Sequence, residues 1–252
     1  MKARLRFMTT RQKPRATDAT LVWERPEPAS RPSPGPLSRE RIVRAAIALA
    51  DAEGLASVSL RKVGAALDAG PMRLYGYLST KEELLELMVD AVYGEMASEG
   101  PLHGDWREAL RSMAHRIRRA ARVHKWFVEL LGGRPHLGPN ALAHLEASLA
   151  ALSDSPGFED IDAVLQAVGT VHAYVIGAIR SEESELRAER ESGMDKTQWQ
   201  SASWGYLQRM IATGRFPTLA KVVRDATHPA FDVVFDKGLD YVLDGIAAQL
   251  ER

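Results

Sequence analysis

Residues 71–77, Pro-Met-Arg-Leu-Tyr-Gly-Tyr, combine side chains that could contact nucleic acid from the start of a helix. Proline suits the first helical position, and the guanidinium of Arg73 can donate two hydrogen bonds to the O6 and N7 atoms of guanine. Leu74 falls on the opposite, inward side, whereas Tyr75 and Tyr77 supply hydroxyl groups. The pattern predicts a short helix over 72–77 that lies in the major groove of DNA.

Further polar residues stand near the starts of neighbouring predicted helices, where backbone N–H groups and the helix dipole favour phosphate groups. Ser59 and Arg61 flank one such start, and Thr80 and Lys81 flank another. The residues predicted to contact DNA are Ser59, Arg61, Pro71, Met72, Arg73, Tyr75, Tyr77, Thr80 and Lys81.

Three short helices must position these residues. Apolar spacing predicts the first over 38–51, with Ser38 as its N-cap and Gly54 after its end. The second spans 60–67 behind Ser59, and the turn at 68–70 leads into the helix over 72–77. A capping box, Thr80-x-x-Glu83, opens a fourth helix over 81–97. The second and third helices form a helix-turn-helix.

The charges along the chain are segregated, although 33 Lys and Arg balance 33 Asp and Glu. Residues 1–81 carry 15 basic and 7 acidic side chains, and residues 82–252 carry 18 and 26. The basic part predicts an anionic partner, either nucleic acid or a membrane surface. Nucleic acid is favoured because the positive charge lies on a helix-turn-helix and a proline-rich segment, and not on one long amphipathic helix.

Residues 1–36 contain 6 of the 13 prolines and few apolar residues, which predicts a flexible basic arm. This arm has either no role or a weak contact with DNA. The rest of the chain reads as helix, over 106–123, 126–131, 140–152, 161–179, 199–212 and 231–250. The polar run over 180–198 is expected to be exposed and partly mobile. No strands are expected, so the fold class is all-α.

Several classes of protein are excluded or disfavoured. The chain has no cysteine, which excludes disulfides, cysteine zinc sites and cysteine nucleophiles. No apolar run approaches the ~18 residues of a spanning helix, and the basic start lacks an apolar signal segment, so we expect a soluble cytoplasmic protein. No catalytic or nucleotide-binding motif occurs, so neither an enzyme nor a cofactor is expected. No two of His124, His136, His144 and His172 are spaced i,i+4, so no metal site is expected.

The block Leu74-Tyr75-x-Tyr77-Leu78-x-Thr80-Lys81-Glu82-Glu83-Leu84-Leu85 resembles the signature of the TetR/AcrR regulators. Residues 132–152 and 229–251 are similar to the C-terminal domain of that family's tetracycline-repressor branch, and the resemblance covers residues 37–250. It implies a helix-turn-helix domain over 37–82 and a larger helical ligand-binding and dimerisation domain over 83–252, with the arm at 1–36 outside the resemblance. The implied function is ligand-responsive regulation of transcription, with a repressor released from a palindromic operator by a small molecule.

The resemblance also implies ligand contacts in the second domain. We expect them at Met113, Ile117, Trp126, Leu130, Arg134, Asn140, His144 and His172. In the tetracycline repressor a histidine shortly before the Gly-x-Arg-Pro segment coordinates a magnesium–drug complex, and Leu130 occupies that place here. Leucine cannot bind a metal, so magnesium–tetracycline binding in that manner is not expected.

A homodimer is expected because a helix-turn-helix gains specificity from two half-sites ~34–36 Å apart. The helices over 161–179 and 231–250 are predicted to form a four-helix bundle with their copies in a second chain. The predicted interface residues are Val168, Val175, Phe235, Leu239, Val242, Leu243 and Ile246. The alternative function is a small-molecule-binding helical protein without sequence-specific DNA binding.

Overall fold

The computed structural model describes residues 20–28 and 37–250, and helix is the regular secondary structure throughout these ranges. This confirms the all-α fold class. The helices are α1 (Arg39–Glu53), α2 (Leu60–Ala66), α3 (Pro71–Leu74), α4 (Lys81–Ala97), α5 (Trp106–Val123), α6 (Phe127–Leu130), α7 (Pro139–Ser153), α8 (Ile161–Ser192), α9 (Lys196–Ala212), α10 (Pro217–Asp225) and α11 (Phe231–Leu250). The sequence pattern did not predict α10.

The first helices begin where their capping residues predict. The Ser38 hydroxyl accepts a hydrogen bond from the Arg41 amide at 3.2 Å, and Thr80 accepts one from the Glu83 amide at 3.1 Å. The predicted capping box at Thr80 is only half formed, because the Glu83 carboxylate accepts from the amide of Ser79 at 2.7 Å. The cap therefore extends one residue further back than predicted.

The third helix is shorter than predicted and ends at Leu74. The chain continues through Tyr75–Tyr77 as a turn, in which the Tyr77 amide donates to the Leu74 carbonyl at 2.9 Å. Gly76 lies in this turn, where an added Cβ would be 3.3 Å from the Arg73 carbonyl oxygen.

Residues 20–28 contradict the expectation of a fully flexible arm. Val22 is only 4% exposed within the main apolar core, and Trp23 packs against that core. The Arg25 guanidinium pairs with the Glu83 carboxylate and contacts the Ser79 hydroxyl at the start of α4. Sequence reasoning missed this because the two apolar residues stand among prolines and charges. Residues 1–19 and 29–36 of the predicted arm lie outside the described residues.

One continuous apolar core joins the two ends of the molecule. Helix α4 packs against α1 on one side and against α7 on the other, and α5 packs against α4, α7 and α8. Helix α11 lies along α8, where the Tyr174 hydroxyl donates to the Phe235 carbonyl at 2.7 Å. The predicted domain boundary at 82/83 falls inside α4, and the division into an arm and two domains stays a prediction.

Helix α8 does not end near Ile179 but continues to Ser192, so the predicted exposed run begins as helix. Its polar half is anchored by Glu182, whose carboxylate accepts from Arg118 at 2.9 Å and from Arg122 at 2.8 Å. Gly193 then ends the helix with a left-handed φ of 67°. The continuation follows from these partners, which come from a helix some 60 residues earlier.

By length and composition alone, α8 is the one helix among the described residues that could cross a membrane. The expectation that no run approaches such a length did not allow for its Gly, Ala and Thr residues. Val164, Val168, Val171 and Val175 on this helix are buried in the protein core.

Candidate functional site

The helix-turn-helix is held together by close packing of α2 on α3. Ser59 caps α2 by accepting from the Lys62 amide at 3.3 Å. A Cβ added to Gly64 would be 2.7 Å from the Ala69 carbonyl oxygen, so a side chain there would push the turn away from α2. Leu74 is fully buried and fixes the rear face of α3.

The opposite face of α3 is open. Met72 is 79% exposed and Tyr75 is 52% exposed, and Pro71 and Arg73 are exposed beside them. Such exposure of large side chains on one short helix is typical of a contact surface. The structure therefore brings four of the predicted DNA-contacting residues together on one face.

The predicted role of Tyr77 is wrong. Its side chain is 8% exposed, and its hydroxyl donates to the Leu37 carbonyl at 2.8 Å, which fixes the segment before α1. The spacing from Tyr75 suggested a shared face, but α3 ends between them. Of the remaining predicted residues, Arg61 is exposed and Lys81 is half-buried, and Ser59 and Thr80 both act as helix caps.

A cavity of about 390 Å³ lies between α4, α5, α7, α8 and the loop before α7. Its walls are mainly apolar, which is typical of small-molecule sites. The predicted ligand contacts Ile117, Arg134, His144 and His172 all line it. Sequence reasoning missed the other wall residues, which are Tyr93, Leu131, Gly132, Gly133, Pro135, His136, Ala141, Leu145, Leu165, Gly169, Ala173 and Ile176. Gly169, Ala173 and Ile176 are spaced three or four residues apart beside His172 on α8. This helical spacing could have predicted them as part of the wall.

The other four predicted ligand contacts serve the protein structure. Met113 is fully buried in the core, and the Trp126 indole N–H donates to the Asp51 carboxylate at 2.7 Å. Asn140 is bonded to a buried carboxylate on α4. The Leu130 carbonyl accepts from a ring nitrogen of His136 at 3.1 Å, and its side chain packs against the core. None of these four residues lines this cavity, because each packs in the core or is hydrogen-bonded to another part of the protein.

Two imidazoles in the cavity wall have unusual surroundings. The rings of His144 and His172 are nearly parallel, with an interplanar angle of 16° and centroids 6.1 Å apart. In each ring the Nε2 atom is buried and has no hydrogen-bond partner. Burial lowers the pKa of His144 to about 4, with a smaller contribution from His172, and burial also lowers the pKa of His172. Both rings are therefore neutral near pH 7.

The cavity is tied to α4 at two points. The Asp90 carboxylate, 4% exposed on α4, accepts from the backbone amides of Asn140 and Ala141 at 2.9 Å each and so caps α7. Four residues earlier on α4, the Glu86 carboxylate lies 3.1 Å from a ring nitrogen of His136 in the cavity rim. Movement of the rim or of α7 would therefore be transmitted to α4 through these two contacts.

A third link joins α4 to α1. The buried ring of His124 has Nδ1 2.9 Å from the Asp51 carboxylate on α1 and Nε2 3.0 Å from the Glu95 carboxylate on α4. Burial opposes a charge on this ring, but the bonds and charges of the two carboxylates outweigh it and raise the pKa of His124. When protonated, the ring donates to both carboxylates.

Most of the predicted dimer residues are already covered within one chain. Val168, Val175, Phe235, Leu239 and Leu243 are at most 3% exposed, because α8 and α11 pack against each other and against α5. The structure corrects their placement, because within one chain these side chains fill the core and not an open face. Val242 and Ile246 are half-buried and line an open groove between α8 and α11. Among the described residues, no group of three or more His, Asp or Glu is placed to hold a metal ion.

Comparison with known proteins connects this geometry to a family. A family model described as "Tetracyclin repressor-like, C-terminal domain" matches residues 100–250. The transcriptional repressor DrrR1 of Streptomyces coeruleorubidus is 38% identical over 90% of this chain and 83% of its own length. The chain belongs to the TetR family.

Other relatives agree with this assignment. A helix-turn-helix transcriptional regulator of Saccharopolyspora erythraea is 36% identical over 96% of this chain and 98% of its own length. The crystal structure of the TetR family protein ActR of Streptomyces coelicolor, in complex with actinorhodin, superposes with a TM-score of 0.72 at 28% identity, covering 86% of this chain and 100% of that one.

Membership confirms the function expected from the sequence. This TetR family member is a ligand-responsive DNA-binding repressor of transcription that acts as a homodimer on operator DNA. The family is one of transcriptional regulators. The individual residues that contact DNA, ligand and the second chain stay predictions and are taken up below.

Proposed function

We propose that a small, mainly apolar molecule enters the cavity beside α4 and lowers operator affinity by moving α4 relative to α1–α3. The main support for this proposal is that the cavity is joined to α4 at two points, through Asp90 and through Glu86. The start of the same helix follows the helix-turn-helix directly along the chain, since Thr80 caps it after the turn that follows α3, and α4 packs against α1. One rigid element thus links the ligand to the DNA-contacting face.

The ligand can shift the equilibrium only by the difference in its affinity for the two forms. It must bind better to a form in which the two α3 helices of the dimer are wrongly spaced for the operator. By linkage, operator DNA then weakens ligand binding by the same factor. We place this cycle in the cytoplasm, where operator DNA is accessible, and we assign the cavity a binding role without catalysis.

On the DNA side, we propose that α3 enters the major groove with Met72, Arg73 and Tyr75 toward the bases and backbone. Arg61 and Lys81 at the flanking helix starts contact phosphates. Arg73→Ala should weaken operator binding by about 1–3 kcal/mol and relax the preference at one base position. Lys81→Ala should weaken all sequences about equally and lower the salt slope by about 1.

The experiment first selects an operator from random duplex DNA and then measures the two variants on it across a salt series. Lys221→Ala on α10, distant in sequence and exposed, serves as the matched loss of one positive charge. An unchanged base preference in Arg73→Ala would remove its role as a base contact. Failure to enrich any sequence would contradict the proposed contact of α3 with the bases.

The second chain is proposed to cover the groove between α8 and α11. This groove has a volume of about 530 Å³ and includes Tyr241, Val242 and Ile246 on α11 and Ala163 and Ala167 on α8. Tyr241 is 65% exposed in one chain, which leaves a large ring for a partner to bury. Tyr241→Glu should weaken the dimer at micromolar concentration in light scattering, and an unchanged dimer would place the interface elsewhere.

Two glycines on α8 test the coupling without a ligand. Gly169 lines the cavity, Gly177 does not, and a Cβ added to either meets open space. Gly169→Phe should fill part of the cavity and weaken operator binding, whereas Gly177→Phe should not. Both variants are first checked for helicity and dimerisation. Equal operator affinity in the two variants would contradict the coupling between cavity and DNA.

A further inference from the structure

We propose that His144 and His172 select the effector as an uncharged aromatic molecule with a hydroxyl group that bonds to both imidazoles. This inference rests on the proposed effector cavity and names the chemical class that fits it. Its basis is the pair of unpartnered Nε2 atoms on two residues that line a mainly apolar cavity.

The two unpartnered Nε2 atoms destabilise the ligand-free protein. A buried polar atom without a hydrogen bond costs the free energy of its lost hydration, and native proteins contain few such atoms. Here two such atoms belong to side chains that line the same cavity, on rings whose centroids are 6.1 Å apart. A ligand that supplies the missing bonds would gain affinity from both.

The protonation state of the pair limits the class of ligand. Burial lowers the pKa of both rings, so each is neutral and offers one N–H and one bare nitrogen. A hydroxyl group can donate to the bare nitrogen of one ring and accept from the N–H of the other. A carboxylate could only accept, and to reach the two rings it would have to leave water, and the exposed Arg134 in the loop before α7, for the mainly apolar part of the wall.

The shape of the surroundings favours an aromatic body on the ligand. The Tyr93 ring lies 5.1 Å from His144 and 6.4 Å from His136 between ring centroids, so four rings of the cavity wall are neighbours. The aliphatic members of the wall include Ile117, Leu145 and Ile176. Flat apolar molecules pack well against such a surface.

The test uses three probes with the same ring system: 2-naphthol, naphthalene and 2-naphthoate. Binding to the full-length protein is measured by calorimetry at pH 7. We expect 2-naphthol to bind at least tenfold tighter than naphthalene, which corresponds to about 1.4 kcal/mol, and 2-naphthoate to bind more weakly than 2-naphthol. Equal binding of 2-naphthol and naphthalene, or no binding of either, overturns the proposal.

The variants His144→Leu and His172→Leu assign the preference to the two rings. Each should remove most of the tenfold advantage of 2-naphthol while keeping or improving the affinity for naphthalene. His103→Leu, at an exposed position before α5, is the matched control and should change neither affinity. A merely structural role predicts the opposite pattern, in which both probes lose affinity together.

Thermal unfolding of the free variants keeps the inference falsifiable if a variant folds poorly. Because each leucine removes an unpartnered buried nitrogen, we expect an unchanged or higher Tm. A lower Tm in both variants would show that the nitrogens have partners in solution and would overturn the proposal. The proposed coupling between the cavity and DNA binding is refuted by a different result, which is an unchanged operator affinity in Gly169→Phe.

Discussion

Asp90 gives the sharpest prediction about how the molecule is held together. Its carboxylate accepts hydrogen bonds from the backbone amides of Asn140 and Ala141 and from the Asn140 side-chain amide, each at 2.9 Å. Asp90→Ala removes all three acceptor contacts at a site that is 4% exposed. Hydrogen bonds to charged groups contribute about 1.5–3 kcal/mol each. The substitution also removes the desolvation cost of the buried carboxylate, which offsets part of this loss. We therefore expect the free energy of unfolding to fall by about 3 kcal/mol.

Asp90→Asn should lower the free energy of unfolding much less than Asp90→Ala. The remaining oxygen can still accept from both backbone amides, and the Asn140 side chain can rotate its amide to face the new NH2 group with its oxygen. What is lost is the negative charge at the start of α7, worth about 1 kcal/mol or less. Guanidinium unfolding followed by tryptophan fluorescence, at one fixed protein concentration because the chain dimerises, measures both values.

Gly138 supplies an internal check on this reasoning. A Cβ added there would overlap the Asp90 carboxylate. Gly138→Ala should therefore be strongly destabilising in the natural chain and clearly less so in the Asp90→Ala background. The same cost in both backgrounds would refute the contact, and an Asp90→Ala loss below about 1 kcal/mol would refute its assigned strength.

Two further predictions concern His124 and Tyr77. Because Asp51 and Glu95 raise the pKa of His124 against its burial, the stability that it contributes is complete below the unfolded pKa of about 6.5 and is lost as pH rises through the folded value. His124→Gln should flatten the fall in stability above pH 6.5 in unfolding curves, and an unaltered pH profile would contradict the ion pairs. Tyr77→Phe should cost about 1–2 kcal/mol by leaving the Leu37 carbonyl without its donor, with an unchanged salt slope of operator binding. A lower salt slope at full stability would instead restore Tyr77 as a phosphate contact.

The sequence predicted the local features of this protein well because their causes are local. Ser38, Ser59 and Thr80 mark helix starts through bonds that span three residues. The bounds of α4 and α5 follow from caps and apolar spacing in the same way. The inward position of Leu74 was also predicted from the sequence, whereas the structure shows that Met72, although apolar, is exposed.

The features that the sequence did not predict depend on partners far along the chain. The polar half of α8 stays helical because Arg118 and Arg122 hold Glu182. Residues 20–28 are held by Glu83 near the start of α4. Neither partner can be read from periodicity, because long-range pairing leaves no repeat in the sequence.

The same distinction separates the two functional sites. The proposed DNA-contacting face is built from one stretch of about twenty residues, so residue types and spacing were enough to predict that most of its residues lie near each other. The cavity is assembled from four helices and a loop, and the facing of His144 on α7 and His172 on α8 exists only once those helices are packed. Only packing shows that Leu239 and Leu243 fill the core of one chain. An apolar stripe has the same sequence pattern whether it is buried inside one chain or against a second chain.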